Sequence, residues 1–440
     1  MGKQLSNSVK QVFYSIFLLC LPSLGISQEK GTKVLVDSTK SGYENLDNAG
    51  GPKTIGAQLN ADNQQREFFF RIPVRVTSPW YEWKKKLNEQ TGLQLGINYT
   101  SVFLHSTEVI SEDNRDNSSS GVLDIQIGWN LLNRKKGTNK GTLFVKMNSR
   151  HAYGNFTDPM FHGIFESGYY GLPATGFRDY SFRALELNWQ QNLIDDKLTV
   201  ILGKVDATNY FNFHGLVVPW QHFLGYGSSL SGTVNWPNQG LGIIAGYKIT
   251  DNFYAMAGLT DVYGDLFERG DFLDFGRNFF DGNFFKAAEV GYVPSMAERY
   301  FKKISITYWQ TDAYTSAGGN AIDKGEGVSL SAHWFFAERF APFFRLGFSN
   351  GNGENAFYKR DFQIGHGLRF YSHDMLGASF GWAEPNIPDS KDQMTLEVFY
   401  RLNLTQHLEI TPDFQWIINP TLNPNADSLI YLGIRGRATF

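Results

Sequence analysis

Charged residues of both signs recur on one side of alternating segments in this chain. In the stretch from Leu429 to Phe440, LIYLGIRGRATF, Arg435 and Arg437 share a face with Tyr431, and the opposite face is apolar. Side chains of a β-strand point alternately to its two faces, so these charges are kept away from the apolar surface. The same placement holds for Lys146, Glu186, Glu289, Arg345, Arg369, Glu397, Arg401, Glu409 and Asp413.

This mixture of guanidinium and carboxylate groups offers paired hydrogen-bond partners to a polar solute. With aromatic side chains beside them, such groups can bind a solute that has both polar groups and apolar faces. Aromatic residues that could stack on it are Phe144, Tyr254, Trp309, Phe399 and Tyr431. The alternative for most of these residues is a polar wall that only contacts water.

The segments that carry the charges alternate with period two and predict sixteen β-strands. They begin at Leu93 and lie near 93–100, 123–131, 143–147, 184–190, 198–205, 239–249, 253–260, 285–293, 301–310, 327–336, 341–348, 361–370, 376–383, 392–402, 407–417 and 429–440. Connections after odd-numbered strands are mostly long and the others short, as in outer-membrane barrels. The sequence therefore predicts an all-β fold, a sixteen-stranded antiparallel transmembrane β-barrel. A propeller would instead repeat a four-stranded unit.

The composition agrees with a large membrane barrel. The chain has 440 residues, an aromatic share of 15% and a formal net charge of −3. After residue 30, no apolar run approaches the ~20 residues that a membrane-spanning helix needs. Abundant aromatic residues are typical of the girdles of membrane barrels. The near-neutral charge gives no reason to expect a nucleic-acid partner.

Residues 1–27 are predicted to be a secretory signal peptide. Lys3 and Lys10 accompany an apolar stretch from Val12 to Leu21, and Gly25-Ile26-Ser27 offers small residues before a cleavage site at Gln28. Cys20, the single cysteine, lies within this peptide. The exported chain would therefore have no disulfide and no thiolate chemistry. Its expected destination is the bacterial outer membrane.

Residues 28–91 are expected to form a periplasmic segment ahead of a barrel domain of residues 92–440. The part up to residue 77 is polar and mixed, is interrupted by Gly50-Gly51-Pro52, and is predicted to be irregular. Ser78-Pro79 is predicted to start a short helix from Trp80 to Gln90, which Gly92 ends. We expect this helix to dock at the barrel mouth, and a partner-binding helix is the alternative.

The third long loop, residues 206–238, is predicted to be a constriction inside the barrel. Its many aromatic residues would be costly to expose to water unless they pack inside. The candidates are Phe213, His214, Trp220, His222 and Trp236. Arg345, Glu397 and Arg435 lie mid-strand on the polar side, so we expect them to face this loop near mid-height of the lumen. The alternative is a loop packed over the outer rim or against a neighbouring subunit.

The chain ends on Phe440, which shares the apolar side of the last strand. An unpaired terminal strand would be an aggregation hazard, so we expect it to pair with the first strand and close the barrel. An aromatic C-terminal residue resembles the signal that bacterial outer-membrane barrels present to their assembly machinery.

Several segments resemble the carbohydrate-selective porins of the OprB family. They are GGPKTIGAQLN (Gly50 to Asn60), WYEWKKKLNEQTGLQLGINYTS (Trp80 to Ser101), ALELNWQQNLIDDKLTVILGKVDAT (Ala184 to Thr208), GIIAGYKITDNFYAMAGLTD (Gly242 to Asp261) and TLEVFYRLNLTQHLEITPDFQWIINP (Thr395 to Pro420). These segments follow the expected order over most of the mature chain. The resemblance implies a sixteen-stranded porin through which monosaccharides and small oligosaccharides diffuse.

The partners expected from this interpretation are small sugars, outer-membrane lipid and lipopolysaccharide, and the assembly machinery at Phe440. We expect no cofactor, no metal ion and no nucleic acid, and the sequence leaves open whether the barrel forms a homo-oligomer. The acidic loop Asp261 to Asp274 lacks the spacing of an EF-hand, so we expect a solvated loop, with a bound calcium ion as the alternative.

Two other functions remain as alternatives. One is a porin for another small polar solute, such as a carboxylate or a peptide. The other, less favoured, is an outer-membrane hydrolase. Ser349-Asn350-Gly351 resembles the Ser-Asn-Gly of outer-membrane phospholipases, but Gly347 stands where their catalytic histidine would precede the serine. No HExxH motif is present, so we expect no enzyme activity.

Overall fold

Sixteen antiparallel strands within the described residues close into one barrel. The computed structural model describes residues 49–63, 74–264, 278–316, 319–370 and 374–440. The strands are β1 Leu93–Ser106, β2 Asn117–Leu132, β3 Gly141–Ala152, β4 Tyr180–Leu193, β5 Leu198–Val205, β6 Gly240–Lys248, β7 Phe253–Asp261, β8 Phe284–Tyr292, β9 Lys303–Thr311, β10 Gly325–His333, β11 Phe340–Ser349, β12 Tyr358–Arg369, β13 Met375–Pro385, β14 Gln393–Thr405, β15 Leu408–Ile418 and β16 Ser428–Thr439. The predicted strands and the sixteen-stranded fold are confirmed.

The barrel closes where the last strand meets the first. The register of β1 and β16 pairs Thr100 with Arg437 and Ser106 with Tyr431. The backbone N–H of Phe440 donates to the carbonyl oxygen of Ile97 at 2.8 Å, beyond the end of β16. The predicted pairing of the last strand with the strand that begins at Leu93 is therefore confirmed.

Exposure alternates along the strands as the sequence predicts. On β16, Tyr431, Arg435 and Arg437 are at most 2% exposed, whereas Leu432 and Ile434 are 51% and 52% exposed. The polar side of each strand therefore lines the lumen, and the apolar side forms the outer surface, where lipid would replace water.

Within the described residues, helical structure consists of short pieces and one longer helix near the barrel end. The helices are α1 Ile55–Asn63, α2 Val74–Thr91 and α3 Tyr226–Ser229. A small hairpin, Tyr314–Thr315 with Ala321–Ile322, forms within the connection between β9 and β10. None of the helices in the described ranges is long and apolar enough to cross a membrane.

Helix α2 begins earlier than the sequence predicts. It starts by Val74, so Ser78 and Pro79 lie inside it and the prediction that they start the helix is wrong. The reason is that tertiary contacts position this helix and override a local start signal. The ring of Tyr81 stacks on His407 with centroids 4.7 Å apart. The Lys84 ammonium donates to the carbonyl oxygen of Phe440 at 3.0 Å.

Helix α1 corrects the prediction that residues up to 77 are irregular. Its residues Ile55 and Leu59 are buried against Phe144 of β3, on the lumen side of the wall. Isolated helices this short are marginal in water, so α1 depends on the barrel that surrounds it. The predicted signal peptide, residues 1–27, and most of the acidic loop 261–274 lie outside the described residues.

Candidate functional site

The long connection between β5 and β6, residues 206–239, folds into the lumen. All five aromatic residues singled out in it are buried, and each is at most 8% exposed; they are Phe213, His214, Trp220, His222 and Trp236. We call residues 206–239 the lumen loop. The structure places it inside the barrel, and the alternative of a loop over the outer rim does not apply to this chain.

Acidic side chains of the wall accept hydrogen bonds from the backbone of the lumen loop. The Glu397 carboxylate accepts from the N–H groups of Leu224 and Gly225. The Glu289 carboxylate accepts from the N–H of Asn212 at 2.7 Å. These bonds fasten the backbone of the loop to carboxyl groups on two sides of the barrel.

Basic side chains of the wall bind carbonyl oxygens of the same loop. Arg345 donates to the carbonyl oxygens of Asn212 at 3.3 Å and Gly227 at 3.4 Å. Arg435 donates through Nη1 to the carbonyl oxygens of Pro219 and His222, the latter at 2.8 Å. The three wall residues predicted to face the loop, Arg345, Glu397 and Arg435, do contact it. Much of their hydrogen-bonding capacity is used to hold it in place.

Arg435 keeps one edge of its guanidinium available. Its Nε and Nη2 atoms are buried and have no hydrogen-bond partner among the described residues. These two N–H groups are adjacent and roughly parallel, which is the geometry that binds two oxygen atoms at once. Nδ1 of His222, in the lumen loop, also lacks a partner in the described part of the chain.

Ring packing fills the lumen around the loop. The imidazole of His214 stacks on Phe343 with centroids 4.0 Å apart and planes within 5°. Phe223 meets the edges of Phe343 and Phe399 at 5.5 Å and 4.9 Å. Burial lowers the pKa of His214 and of His222, and nearby arginines lower both further. Both imidazoles are therefore neutral, and the loop adds no positive charge from them.

A second loop, residues 153–179, also enters the barrel, and sequence reasoning missed it. The N–H of Thr175 donates to the carbonyl of Leu224 at 2.8 Å, and the N–H of Tyr226 donates to the carbonyl of Leu172 at 2.9 Å. Phe177 packs edge-on to Trp220 with centroids 5.2 Å apart. The signal was the same as for the lumen loop, because apolar and aromatic residues are frequent in this long connection as well.

Lys146 and Glu186 also face the lumen. The Lys146 ammonium lies 3.9 Å from the Asp124 carboxylate and 5.9 Å from the centroid of Trp220. The Glu186 carboxylate accepts from the side-chain amide of Asn209 at 2.9 Å. Glu186 is therefore a further contact between the wall and the lumen loop.

The other predicted wall residues differ in their contacts. Asp413 is buried and accepts from the Gln415 amide at 3.0 Å. Arg401 lies with Nη1 3.4 Å from Nε2 of His222, next to the lumen loop. Arg369 stands at the last position of β12, where its guanidinium lies 5.1 Å from the ring of Phe335.

Two further charged wall residues were missed although their strands carried the signal. Lys303 is fully buried, lies 3.1 Å from the Glu289 carboxylate and 3.5 Å from the ring centroid of Phe213. Asp361 accepts from the N–H of Gly232 at 2.9 Å. Each falls on the polar side of its strand, so the alternation that located the other charges would have located these too.

Neither a metal centre nor a serine nucleophile is supported by the geometry. The described residues contain no group of three or more His, Cys, Asp or Glu side chains that could hold a metal ion. The hydroxyl of Ser349, the serine of the Ser-Asn-Gly sequence, donates to the carbonyl oxygen of Tyr358 at 2.9 Å. That hydroxyl is thereby engaged with the backbone of the neighbouring strand.

Porins are among the known proteins with a similar sequence or fold. Residues 359–440 match the family described as "Carbohydrate-selective porin, OprB family". Porin AaxA of Chlamydia felis (strain Fe/C-56) is 23% identical over 280 residues, and the match spans 60% of this chain and 60% of that porin. The high-pH structure of Pseudomonas putida OprB is 14% identical, with a TM-score of 0.65, over 82% of this chain and 97% of that one. The predicted resemblance is confirmed over residues 359–440: the chain forms a sixteen-stranded barrel, and its last strands match the carbohydrate-selective OprB family.

Proposed function

We propose that this protein is an outer-membrane porin through which monosaccharides and small oligosaccharides diffuse. The observation that carries the proposal is the lumen, where wall charges of both signs surround the inserted lumen loop. The part of the chain that matches carbohydrate-selective porins, residues 359–440, supplies many of these charges. They are Asp361, Arg369, Glu397, Arg401, Glu409, Asp413, Arg435 and Arg437.

The unpaired polar atoms around the lumen loop suit a neutral polyol. The free edge of Arg435 offers two donors, and a carbohydrate hydroxyl can both donate and accept. A sugar can therefore exchange its water for these groups at little net cost, whereas an apolar solute of equal size cannot. Binding has to stay weak, since a tight site would hold the sugar and slow its release.

The fold and the family favour a channel over an enzyme. A closed barrel with a lined lumen is the structure of a diffusion pore, and the engaged hydroxyl of Ser349 gives no support to the alternative of a hydrolase. The apolar outer surface calls for a lipid bilayer, so we place the barrel in the bacterial outer membrane, in contact with lipid and lipopolysaccharide, after export by the signal peptide of residues 1–27.

Liposome swelling tests the proposed substrate class. Purified barrel in liposomes should admit monosaccharides and small oligosaccharides faster than size-matched carboxylates or peptides. The reason is that a lumen with charges of both signs gives no net attraction to an ion, whereas its donors and acceptors replace the water of a sugar. Faster entry of the carboxylates or peptides would favour the alternative of a porin for another solute.

We also propose that Phe440 is recognised during assembly. Its backbone completes the pairing with Ile97, but its side chain is 49% exposed and contributes little to closure. Phe440→Ala should therefore lower the amount of heat-modifiable, folded barrel in the outer membrane and leave the conductance of each folded pore unchanged. Phe348→Ala removes another outward ring, 45% exposed, and is the matched control. Equal yields from both variants and the native chain would show that Phe440 is not a signal here.

A further inference from the structure

Residues 49–63 cross the lumen near the barrel end that carries the short turns. At one end of this segment, the N–H of Gly51 donates to the carbonyl of Asn209 at 2.7 Å, and Arg299 donates to the carbonyl of Gly50. At the other end, Asp62 contacts Arg437 of β16. Between these ends, α1 contacts β1, β2 and β3. The segment therefore occupies part of the lumen. It lies between the lumen loop and the barrel end that carries the short turns.

A buried ion pair fixes the segment to the wall. Arg437 donates through Nη2 to both carboxylate oxygens of Asp62, at 2.8 Å and 2.7 Å. The two side chains are 1% and 7% exposed. Charge-assisted bonds in a water-poor site are strong, and removing one partner leaves the other charge buried and unpaired.

Glycines allow the segment to approach its neighbours closely. A Cβ atom on Gly51 would lie 2.5 Å from the ring of Phe213, and one on Gly96 would lie 2.7 Å from Cδ2 of Leu59. A second polar anchor joins the segment to the base of the lumen loop, where the Lys53 ammonium donates to the Thr208 hydroxyl at 2.7 Å. These contacts show that the segment packs closely at a defined position inside the barrel.

Neutral polar atoms without partners lie along β1 and at the end of α1. Both amide atoms of Asn63 and of Gln94, the amide oxygen of Asn98 and the hydroxyl of Thr100 have no hydrogen bond within the described residues. All four side chains are at most 5% exposed. Buried polar groups are normally paired, so these atoms indicate a place where water or a solute supplies the missing bonds.

We infer that α1 and the facing part of β1 form a second constriction of the pore, where amides and a hydroxyl beside the Asp62–Arg437 pair bind a neutral polyhydroxylated solute. The inference rests on the proposed function as a pore, but it does not require the lumen loop to select sugars. Amides donate and accept hydrogen bonds without charge, which suits hydroxyl groups. The two constrictions lie in series along the lumen.

Single-channel recording of the full chain tests the fixed constriction. Asp62→Asn removes the ion pair and should raise the ion conductance, because the segment is no longer held in the passage. Glu89→Gln is the matched control, because it removes an exposed pair with Lys85, whose atoms are 4.0 Å apart, and should leave the conductance unchanged. An unchanged conductance in folded Asp62→Asn would overturn the constriction.

A cross-link provides a second measurement that does not depend on the ion pair. Leu59→Cys combined with Gly96→Cys can be joined by a short thiol reagent and compared with the same sample before treatment. A constriction that stays in place predicts equal conductance in the two states. A loss of current on cross-linking would show that the segment must leave the lumen for conduction, and would overturn a fixed constriction.

The hydrogen-bonding site is tested by sugar block of the ion current. Gln94→Met and Asn63→Leu remove the unpaired amides and keep side chains of similar length, and each should raise the half-blocking sugar concentration by about threefold to tenfold, the loss of one hydrogen bond. Block as strong as in the native chain would overturn the site. If the native chain conducts ions but shows no block by any sugar, the proposed function fails, and the conductance result for Asp62→Asn still decides the constriction.

Discussion

Replacing Glu397 with glutamine is expected to loosen the lumen loop and to raise the ion current through the barrel. The carboxylate accepts from two consecutive N–H groups, those of Leu224 and Gly225. Glutamine has one acceptor oxygen in place of two and carries no charge. Because an amide NH2 then replaces the oxygen that accepts the second bond of Gly225, at least one hydrogen bond is lost, and the free energy of unfolding should fall by about 0.5–1.5 kcal/mol.

Single-channel conductance and urea unfolding in lipid vesicles measure the two effects. Glu384→Gln is the matched control, since Glu384 pairs at 3.4 Å with Arg360 on an exposed part of the barrel and does not hold the lumen loop. Exposed pairs contribute roughly 0–1 kcal/mol, so this control should change little. If Glu397→Gln matches the control in both conductance and unfolding, the wall acids do not hold the loop.

Shortening the lumen loop is expected to have the largest effect on permeation. Replacing residues 212–232 with a short Gly-Ser linker removes Trp220, His222 and the backbone groups that bind Arg345, Glu397 and Arg435. The lumen widens, and the wall charges then face water. Conductance should rise severalfold, and discrimination among solutes of different size and polarity should disappear in liposome swelling.

Heat-modifiability shows whether the shortened barrel still folds, and Glu397→Gln tests the same claim without a deletion. A matched control removes residues 388–390 from the connection between β13 and β14, where Asp389 is exposed at the rim. This control should leave conductance and swelling rates as they are. A shortened lumen loop that conducts and discriminates like the native chain would place the constriction elsewhere.

The barrel could be predicted from sequence because the alternation of apolar and polar side chains repeats every two residues. Leu432 and Ile434 face outward while Arg435 and Arg437 face inward, and the same rule locates all sixteen strands. Loop lengths then fixed the topology, since short turns and long connections alternate. Lys303 and Asp361 obey the same rule, so their omission was a failure to apply the pattern fully.

The contents of the lumen were harder to predict. The aromatic residues of 206–239 indicated an inserted loop, but its contacts with Glu397 and Arg435 join residues far apart in sequence. Nothing in the periodicity near Asp62 indicates a helix inside the barrel or an ion pair with Arg437. A helix that is stable only in its surroundings leaves little local signal. Helix α2 was likewise predicted too short because tertiary contacts, and not Ser78-Pro79, set its extent.

Sugar block of the ion current through the native pore tests the central claim most directly. The current through a single folded barrel is recorded while a neutral monosaccharide is titrated into the chamber, and a size-matched apolar solute serves as the comparison. We predict block by the sugar with half-saturation near the millimolar range, about −4 kcal/mol, and no block by the apolar solute. Equal effects of the two solutes would contradict a carbohydrate-selective constriction in this lumen.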